Sequence, residues 1–105
     1  MNFQEQVWQA CSSIPRGKVS TYQEIARFLG GHAYRAVGQA LRHNPHAPAV
    51  PCHRVVRSDG SLGGYQGMPE NPQKGRFLRS EGICITDGKI QDFKNKVYRF
   101  PPALR

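Results

Sequence analysis

The sequence predicts a mainly α-helical domain with short β elements, built around a helix-turn-helix. Two short amphipathic segments joined by the pair Gly30-Gly31 predict the helix-turn-helix. Apolar residues recur at helical spacing near the amino terminus, and a hairpin signal is confined to a short stretch near residue 88. The 105 residues have the length of one domain, 1–105, with a modest core.

The charge of the chain favours a polyanionic partner, with nucleic acid first. The formal net charge is +8 and the sequence pI is about 9.9. No acidic residue occurs between Glu24 and Asp59, whereas arginines and histidines are frequent there. A span of this kind fits a phosphate backbone, although charged runs often form only a solvated surface.

Cysteine usage and hydropathy exclude several other classes of protein. Three cysteines without paired spacing argue against a disulfide framework. They favour the reducing interior of a cell. For a protein that binds nucleic acid, this predicts the cytoplasm of a prokaryote or the nucleus of a eukaryote. The lack of clustered Cys and His argues against a structural zinc site. No apolar run approaches the roughly 20 residues that span a bilayer, and the first residues lack the pattern of a signal peptide.

Residues 2–13 are predicted to form an amphipathic helix. Its apolar stripe, which Trp8 widens, consists of Phe3, Val7, Cys11 and Ile14. Asn2 stands in the N-cap position with Glu5 three residues further on, which is the pattern of a capping box. Cys11 is therefore expected in the core.

The helix-turn-helix begins at a second capping box, in which Thr21 is followed by Glu24. Its first helix is expected to end at Gly30, and its second helix to span about 33–43. By position the second is the recognition helix. It is lined with small residues, which are Ala33, Ala36, Gly38 and Ala40. Small side chains permit close approach either to DNA or to a neighbouring helix, and the sequence leaves both interpretations open.

The carboxy-terminal part of the chain contains one more helix and a hairpin. Asn71-Pro72 predicts a helix start, and Glu81-Gly82 predicts its end. Residues 83–93 alternate around Asp87-Gly88, which predicts a hairpin that leaves the orientation of Cys84 open. The tail 94–105 is basic and is expected to be partly extended. The glycine-rich loop 62–67 lacks the Gly-Lys-Ser/Thr of a phosphate-binding loop.

The stretch Pro51-Cys52-His53 contains a candidate nucleophile, and the following Val55-Val56 predicts the start of a buried strand. A cysteine taken alone is more often a core residue, but an adjacent histidine can act as a base toward a thiol. Neighbours on a strand point to opposite faces, so this pair needs a turn or a bridging water. Glu81 is the acid chosen to orient the imidazole, ahead of two loop acids, Asp59 and Glu70.

Several motifs together resemble the C-terminal domain of the O6-alkylguanine-DNA alkyltransferases. The residues that carry the resemblance are Tyr22-Gln23-Glu24-Ile25-Ala26, Arg35-Ala36-Val37-Gly38-Gln39-Ala40, Asn44-Pro45, Pro51-Cys52-His53-Arg54-Val55-Val56, Gly64-Tyr65-Gln66-Gly67 and Glu81-Gly82. The similarity covers the chain up to about Ile83. It implies a winged-helix-like helix-turn-helix domain of the alkyltransferase C-terminal type. The family's usual N-terminal domain is expected to be absent.

The resemblance implies a set of catalytic residues. Cys52 would accept the alkyl group in a single displacement, so that each molecule acts once. His53 would take the thiol proton through a water, and Glu81 would orient His53. Asn44 would brace the turn that holds Cys52. No cofactor and no metal would take part.

The resemblance also implies a partner, double-stranded DNA that contains alkylated guanine, with O4-alkylthymine as a further candidate substrate and a monomeric protein. The recognition helix, with Ala36 on it, would enter the minor groove, and Arg35 would replace the base that is flipped out. Tyr22 would help rotate the nucleotide and would donate a hydrogen bond to the guanine.

The flipped guanine would lie in a pocket beside the sulfur. Tyr65 would stack as its wall, and the carbonyls of Cys52 and Val55 would receive the guanine amino group. The backbone amide of Gln66 would contact O6. The family's loop commonly reads Tyr-x-Gly-Gly, whereas Gly67 is here followed by Met68-Pro69, which bears on the size of the alkyl group accepted.

Three alternatives compete with this function. Alkyltransferase-like proteins bind alkylated guanine without repairing it and carry Trp at the position of Cys52, so the cysteine favours a working transferase. A helix-turn-helix transcription factor would use only the basic surface. A thiol hydrolase is weakly supported, since no oxyanion hole is identifiable and Cys52 and His53 are sequence neighbours.

Overall fold

The computed structural model describes residues 1–65 and 71–101, and within them helices predominate over short strands, as predicted. The elements are α1 (Phe3–Ser12), β1 (Ser20–Thr21), α2 (Tyr22–Phe28), α3 (Tyr34–Arg42), a 3₁₀ turn (Cys52–Arg54), β2 (Val55–Val56), α4 (Pro72–Ser80), β3 (Ile85–Thr86), β4 (Lys89–Ile90) and α5 (Phe93–Lys96). None of the helices in these two ranges is both long and apolar enough to cross a membrane.

The first helix forms with the predicted cap. The Asn2 side chain accepts from the Glu5 backbone at 2.8 Å, and the Glu5 carboxylate accepts from the Asn2 backbone at 3.3 Å. Val7 and Cys11 are fully buried, which confirms Cys11 as a core residue. Phe3, in contrast, is 39 % exposed, so the buried stripe begins one turn later than its spacing indicated.

The helix-turn-helix is also as predicted. Thr21 Oγ1 accepts from the Glu24 backbone at 3.0 Å, and Gly30, with φ of +92°, ends the turn after α2. The small residues of α3 lie on two different faces of the helix. Ala40 faces the core, where its carbonyl accepts from Trp8 Nε1 at 2.8 Å, whereas Ala36 is exposed. Tight helix packing and an open outer face therefore both occur, on different sides of α3.

Two short strands, β1 and β2, pair in parallel and join the helix-turn-helix to the turn that carries Cys52. β1 aligns Ser20 with Val55 and Thr21 with Val56 of β2, and all four residues are buried. The strand at Val55–Val56 confirms the prediction, whereas β1 was not predicted. This pairing places the start of α2 beside the turn that carries Cys52.

The carboxy-terminal elements close the domain. Asp87 and Gly88 both have positive φ in the turn of the β3–β4 hairpin, as predicted, and Cys84 is exposed. In the tail, α5 occupies the first residues and was not predicted, whereas the backbone of Val97 is extended, in line with a partly extended tail. Val97 pairs with Val19 in an isolated parallel bridge, and Arg27 donates from Nη2 to the Phe100 carbonyl at 2.8 Å.

Candidate active site

Cys52 lies on a single 3₁₀ turn between a loop and β2. Its backbone amide donates to the Val50 carbonyl at 2.8 Å, and the Arg54 amide donates to the Pro51 carbonyl at 2.9 Å. The residue is 5 % exposed. Because the chain turns here rather than extending, Cys52 and His53 escape the opposite-face geometry of a strand.

Asn44 braces the loop that leads into this turn. Its amide donates from Nδ2 to the Val50 carbonyl at 2.9 Å, and its Oδ1 accepts from the His46 backbone at 2.9 Å. The side chain is buried, so these contacts lie in a region of weak screening. Asn44 thus makes the structural contacts expected of a residue that positions Cys52.

His53 and Glu81, which are 28 residues apart in the sequence, are brought together by the fold. His53 Nε2 lies 3.0 Å from Glu81 Oε2, and both side chains are almost fully buried. Of the two loop acids considered as substitutes, Asp59 accepts from Ser61 instead, and Glu70 lies outside the described residues. Among the described residues, the structure therefore places Glu81, and not Asp59, in contact with the imidazole.

The hydrogen bonds of Glu81 determine which imidazole nitrogen carries the proton. Two donors of Arg54 engage the carboxylate, at 2.9 Å from Nε and 2.7 Å from Nη2. An ionised carboxylate only accepts, so Nε2 of His53 must be the donor. Nδ1 is buried and has no hydrogen-bond partner among the residues that the structure describes. The free lone pair of the neutral imidazole therefore belongs to Nδ1.

The resting state combines a thiol with a neutral base. Burial raises the pKa of Cys52, although hydrogen bonding from Asn44 and the charge of Lys74 oppose this. Burial likewise lowers the pKa of His53, against the effect of Glu81. Both shifts favour the neutral thiol and the neutral imidazole over the thiolate–imidazolium pair.

Lys74 is a buried residue of the site that was not predicted from the sequence. It is 1 % exposed, and its ammonium donates to the Gly64 carbonyl at 3.0 Å and to the Tyr22 hydroxyl at 3.4 Å. Burial lowers its pKa to about 7. A signal was present, because Lys74, Leu78 and Glu81 recur at the i, i+4, i+7 spacing of one helix face.

Aromatic rings enclose the imidazole. Tyr65 is 3 % exposed, and its ring meets the His53 ring edge-on with 6.4 Å between the centroids. Phe77, which lies on α4, has its ring centroid 5.1 Å from that of His53. Burial beside Cys52 raises the pKa of Tyr65 to about 12, so its hydroxyl keeps its proton. The predicted wall residue is thus at the sulfur.

A cavity of about 460 Å³ opens between α2, α3 and the loop after β2. It is lined by Tyr22, Gln23, Tyr34, Gly38, Arg57, Ser58, Asp59, Gly63 and Gly64. Gly63 has φ of +73°, and a Cβ there would lie 3.2 Å from the Tyr22 hydroxyl. Burial raises the pKa of Tyr22 to about 12, which keeps this hydroxyl a donor at the cavity wall.

The remaining predicted residues divide into three groups. Val55 is buried in β2 next to the turn, whereas Arg35 and Ala36 are exposed on α3 between two cavity-lining residues. Gln66 and Gly67, with the adjoining Met68-Pro69, lie outside the described residues. Within 1–65 and 71–101, no group of three His, Cys, Asp or Glu residues could hold a metal ion.

Comparison with known proteins agrees with this geometry. A family model described as "6-O-methylguanine DNA methyltransferase, DNA binding domain" matches residues 2–83. A methylated-DNA–protein-cysteine methyltransferase of Methanothermobacter thermautotrophicus is 47 % identical over 83 residues, which are 79 % of this chain and 46 % of that protein. The chain thus spans about half the length of this curated relative.

Two solved structures have the same fold. S. pombe Atl1, in complex with damaged DNA containing O6-carboxymethylguanine, has a TM-score of 0.81 at 33 % identity, and the match covers 92 % of this chain and 94 % of Atl1. Mycobacterium tuberculosis OGT in complex with DNA has a TM-score of 0.71 at 45 % identity, over 77 % of this chain and 50 % of OGT. These neighbours confirm the helix-turn-helix fold of the alkyltransferase C-terminal type.

The match to the family model extends over most of the chain and includes α1, the helix-turn-helix, the Cys52 turn, α4 and Glu81. Sequence identity, fold and site geometry lead to one conclusion: the chain belongs to the 6-O-methylguanine DNA methyltransferase family.

Proposed function

We propose that this protein repairs O6-alkylguanine in duplex DNA by transferring the alkyl group to Cys52, with O4-alkylthymine as a further candidate substrate. It would act once per molecule as a methylated-DNA–protein-cysteine S-methyltransferase. The observation that carries the proposal is the buried Cys52 thiol on a tight turn, next to a neutral His53 that Glu81 holds by hydrogen bonding. No cofactor or metal has a role in the proposed reaction.

DNA binding in this proposal uses the basic helix-turn-helix surface. The exposed Ala36 leaves room for α3 in a minor groove about 6 Å wide. Arg35 takes the place of the flipped nucleotide in the base stack, as the resemblance implies. The net charge of +8 provides the attraction to phosphate.

The cavity beside Tyr22 is the proposed route of the flipped nucleotide toward the sulfur. Its volume of about 460 Å³ is in the range of small-molecule sites, and the Tyr22 hydroxyl on its wall can donate to the base. Tyr65 stacks on the guanine, and the carbonyls of Cys52 and Val55 accept from its amino group. Gln66 and Gly67 complete the site in this proposal through the family resemblance alone.

The chemistry is a single displacement at the alkyl carbon. The thiol proton moves through a bridging water to Nδ1 of His53, which produces a thiolate and an imidazolium that Glu81 stabilises. The sulfur forms a bond to the alkyl carbon while the bond from that carbon to O6 breaks. The electron pair stays on the guanine, which takes up a proton, and S-alkylcysteine remains at position 52.

A lesion-binding protein without repair activity is the second candidate. One observation favours it, because Atl1, whose structure is a complex with damaged DNA containing O6-carboxymethylguanine, matches 92 % of this chain with a TM-score of 0.81. The presence of Cys52 favours transfer, since the displacement requires a sulfur nucleophile.

Incubation with a duplex containing O6-methylguanine, followed by intact mass and peptide mapping, separates the two functions. Repair predicts a gain of one methyl group on the peptide that contains Cys52, and no gain in a Cys52→Ser control. Tight binding to the lesion without any mass change would reject the transferase and support lesion binding alone.

We further propose that residues 1–105 act as one DNA-binding and alkyl-acceptor domain, monomeric and inside the cell. The residues to which the family resemblance assigns catalytic roles lie in this chain, and the Cα radius of gyration of 12.5 Å is that of a folded unit of about 100 residues. Sedimentation of the free protein at several concentrations tests the oligomeric state, and a concentration-dependent dimer would overturn the proposal of a monomer.

A further inference from the structure

Arg54 binds three acceptors and contacts none of the atoms that react. It donates from Nε to Glu81 Oε1 at 2.9 Å and from Nη2 to Glu81 Oε2 at 2.7 Å. It also donates from Nη1 to the Ile14 carbonyl at 2.8 Å, just beyond the end of α1. The side chain is 15 % exposed, so this paired geometry is largely shielded from water.

Glu81 Oε2 receives two donors at once, Arg54 Nη2 and His53 Nε2. A protonated carboxyl would have to donate from one of its oxygens, and both oxygens already accept from Arg54. Burial by itself would raise the pKa of Glu81, but the hydrogen bonds from Arg54 and His53 hold it below its ordinary value. The carboxylate is therefore fixed in charge as well as in position.

The charge of Arg54 also acts on the imidazole. A buried carboxylate alone would stabilise an imidazolium and hold His53 protonated, which would remove the base. The guanidinium offsets that negative charge from the far side of the carboxylate. The other titratable groups that face His53 are Lys74 on α4, which disfavours the imidazolium, and the neutral Tyr65 and Cys52.

We propose that Arg54 is a positioning residue for the transfer reaction, which holds Glu81 ionised and oriented so that His53 remains neutral with Nδ1 free to act as the base. This inference rests on the proposed function, since it assigns the base of that reaction. The bond from Nη1 to the Ile14 carbonyl anchors the guanidinium to the segment that follows α1, so Arg54 cannot rotate away from Glu81 without breaking a third hydrogen bond.

The test compares single-turnover transfer from a saturating O6-methylguanine duplex between pH 5.5 and 9 for the full chain and its Arg54→Met and Arg54→Lys variants. Arg76→Met is the matched control, because Arg76 is an exposed arginine on α4. In Arg54→Met, the acidic limb should move up by about one pH unit, which is a tenfold loss on that limb and recovery at high pH.

Arg54→Lys should keep the limb near its original position, since the charge remains, but with a lower plateau because one ammonium cannot bind both oxygens of Glu81. Arg76→Met should match the unmodified chain throughout. A loss in Arg54→Met that is the same at every pH would overturn the proposal, since a merely structural role predicts that pattern.

A second measurement tests the proposal even if Arg54→Met does not fold. Nitrogen-15 NMR of the unmodified protein should show His53 as the Nε2–H tautomer and titrating below the ordinary histidine value of about 6.5. An Nδ1–H tautomer, or titration above that value, would overturn the role of Arg54. This readout needs no alkylated DNA, so it separates failure of this inference from failure of the proposed repair activity.

Discussion

The Lys74 ammonium lies 3.4 Å from the Tyr22 hydroxyl and 5.7 Å from the centroid of its ring. Through this contact, α4 reaches the first residue of α2, on the wall of the cavity. The second hydrogen bond of Lys74, to the Gly64 carbonyl, attaches the loop that precedes Tyr65. The buried Lys74 ammonium therefore connects α4 to the helix-turn-helix, through Tyr22, and to the loop before Tyr65, through Gly64.

Lys74→Met should change the pH dependence of stability. The pKa of Lys74 falls to about 7 on folding, so between pH 7 and about 10 the unfolded chain binds more protons than the native one. The free energy of unfolding of the unmodified protein should therefore rise with pH relative to Lys74→Met, by at most about 1.4 kcal/mol per pH unit. Urea unfolding at pH 7, 8 and 9 measures this difference.

The control for that series is Lys94→Met, which removes an exposed lysine. Its unfolding free energy should run parallel to that of the unmodified protein across the three pH values. Parallel behaviour of Lys74→Met as well would show that the buried ammonium retains its ordinary pKa.

Glu81→Gln should slow transfer by on the order of 10²-fold while lesion binding stays nearly intact. Glutamine preserves the shape of the side chain but removes the charge that stabilises the His53 imidazolium. It also leaves Arg54 without an ionic partner, so the free energy of unfolding should fall by about 3–5 kcal/mol. Single-turnover rates, measured at a temperature where the variant is folded, test the first effect. Equal rates would remove Glu81 from the proton relay.

Local signals account for what the sequence predicted of the fold. Caps, glycines and apolar spacing predicted α1, the helix-turn-helix, α4 and the hairpin turn. β1 has only two polar residues, and its burial arises from pairing with Val55–Val56, which no local pattern encodes. The helical start of the tail, Phe93–Lys96, was likewise not indicated by its composition.

In the candidate site too, some contacts were predicted from the sequence and others were not. The contact between His53 and Glu81 was predicted because few acids were available and one stood at a helix end. Lys74 was missed because lysine is rarely buried, and its environment is set by a carbonyl of the loop and a hydroxyl of α2 that are distant in sequence. The burial and the contacts of such a residue depend on partners that only the tertiary structure brings together.

Arg35→Ala should weaken transfer on duplex DNA by more than tenfold and leave reaction with free O6-methylguanine base nearly unchanged. The side chain is exposed on α3 and is proposed to replace the flipped base, a step that the free base does not need. Arg76→Ala, which removes an exposed charge on α4, is the control for lost charge alone. An equal loss on both substrates would contradict a role in base replacement.

Binding to duplex DNA should weaken steeply as salt increases. A basic protein that contacts several phosphates releases counterions, so log K should fall against log salt with a slope of about −0.9 per phosphate contacted. The Cys52→Ser variant allows equilibrium titration because it cannot react. A flat profile between 50 and 200 mM salt, concentrations at which such contacts are readily resolved, would contradict the assignment of the basic span to DNA.

Gly63→Ala should reduce both stability and transfer. Gly63 has φ of +73°, where a Cβ costs roughly 1 kcal/mol of backbone strain. That Cβ would also lie 3.2 Å from the Tyr22 hydroxyl, which is a tight approach, so the hydroxyl has to move slightly. The expected result is a larger loss of unfolding free energy than strain alone produces, together with a slower single-turnover rate on the lesion duplex.

Gly88→Ala separates the two effects, because Gly88 has the same φ of +73° and a Cβ there meets nothing within 4 Å. It should lose only the strain energy and keep the full transfer rate, since the hairpin turn lies outside the candidate site. If Gly63→Ala and Gly88→Ala lose the same stability and both transfer normally, the contact between Gly63 and Tyr22 has no influence on the site. If only Gly63→Ala transfers slowly, the position of the Tyr22 hydroxyl limits the reaction.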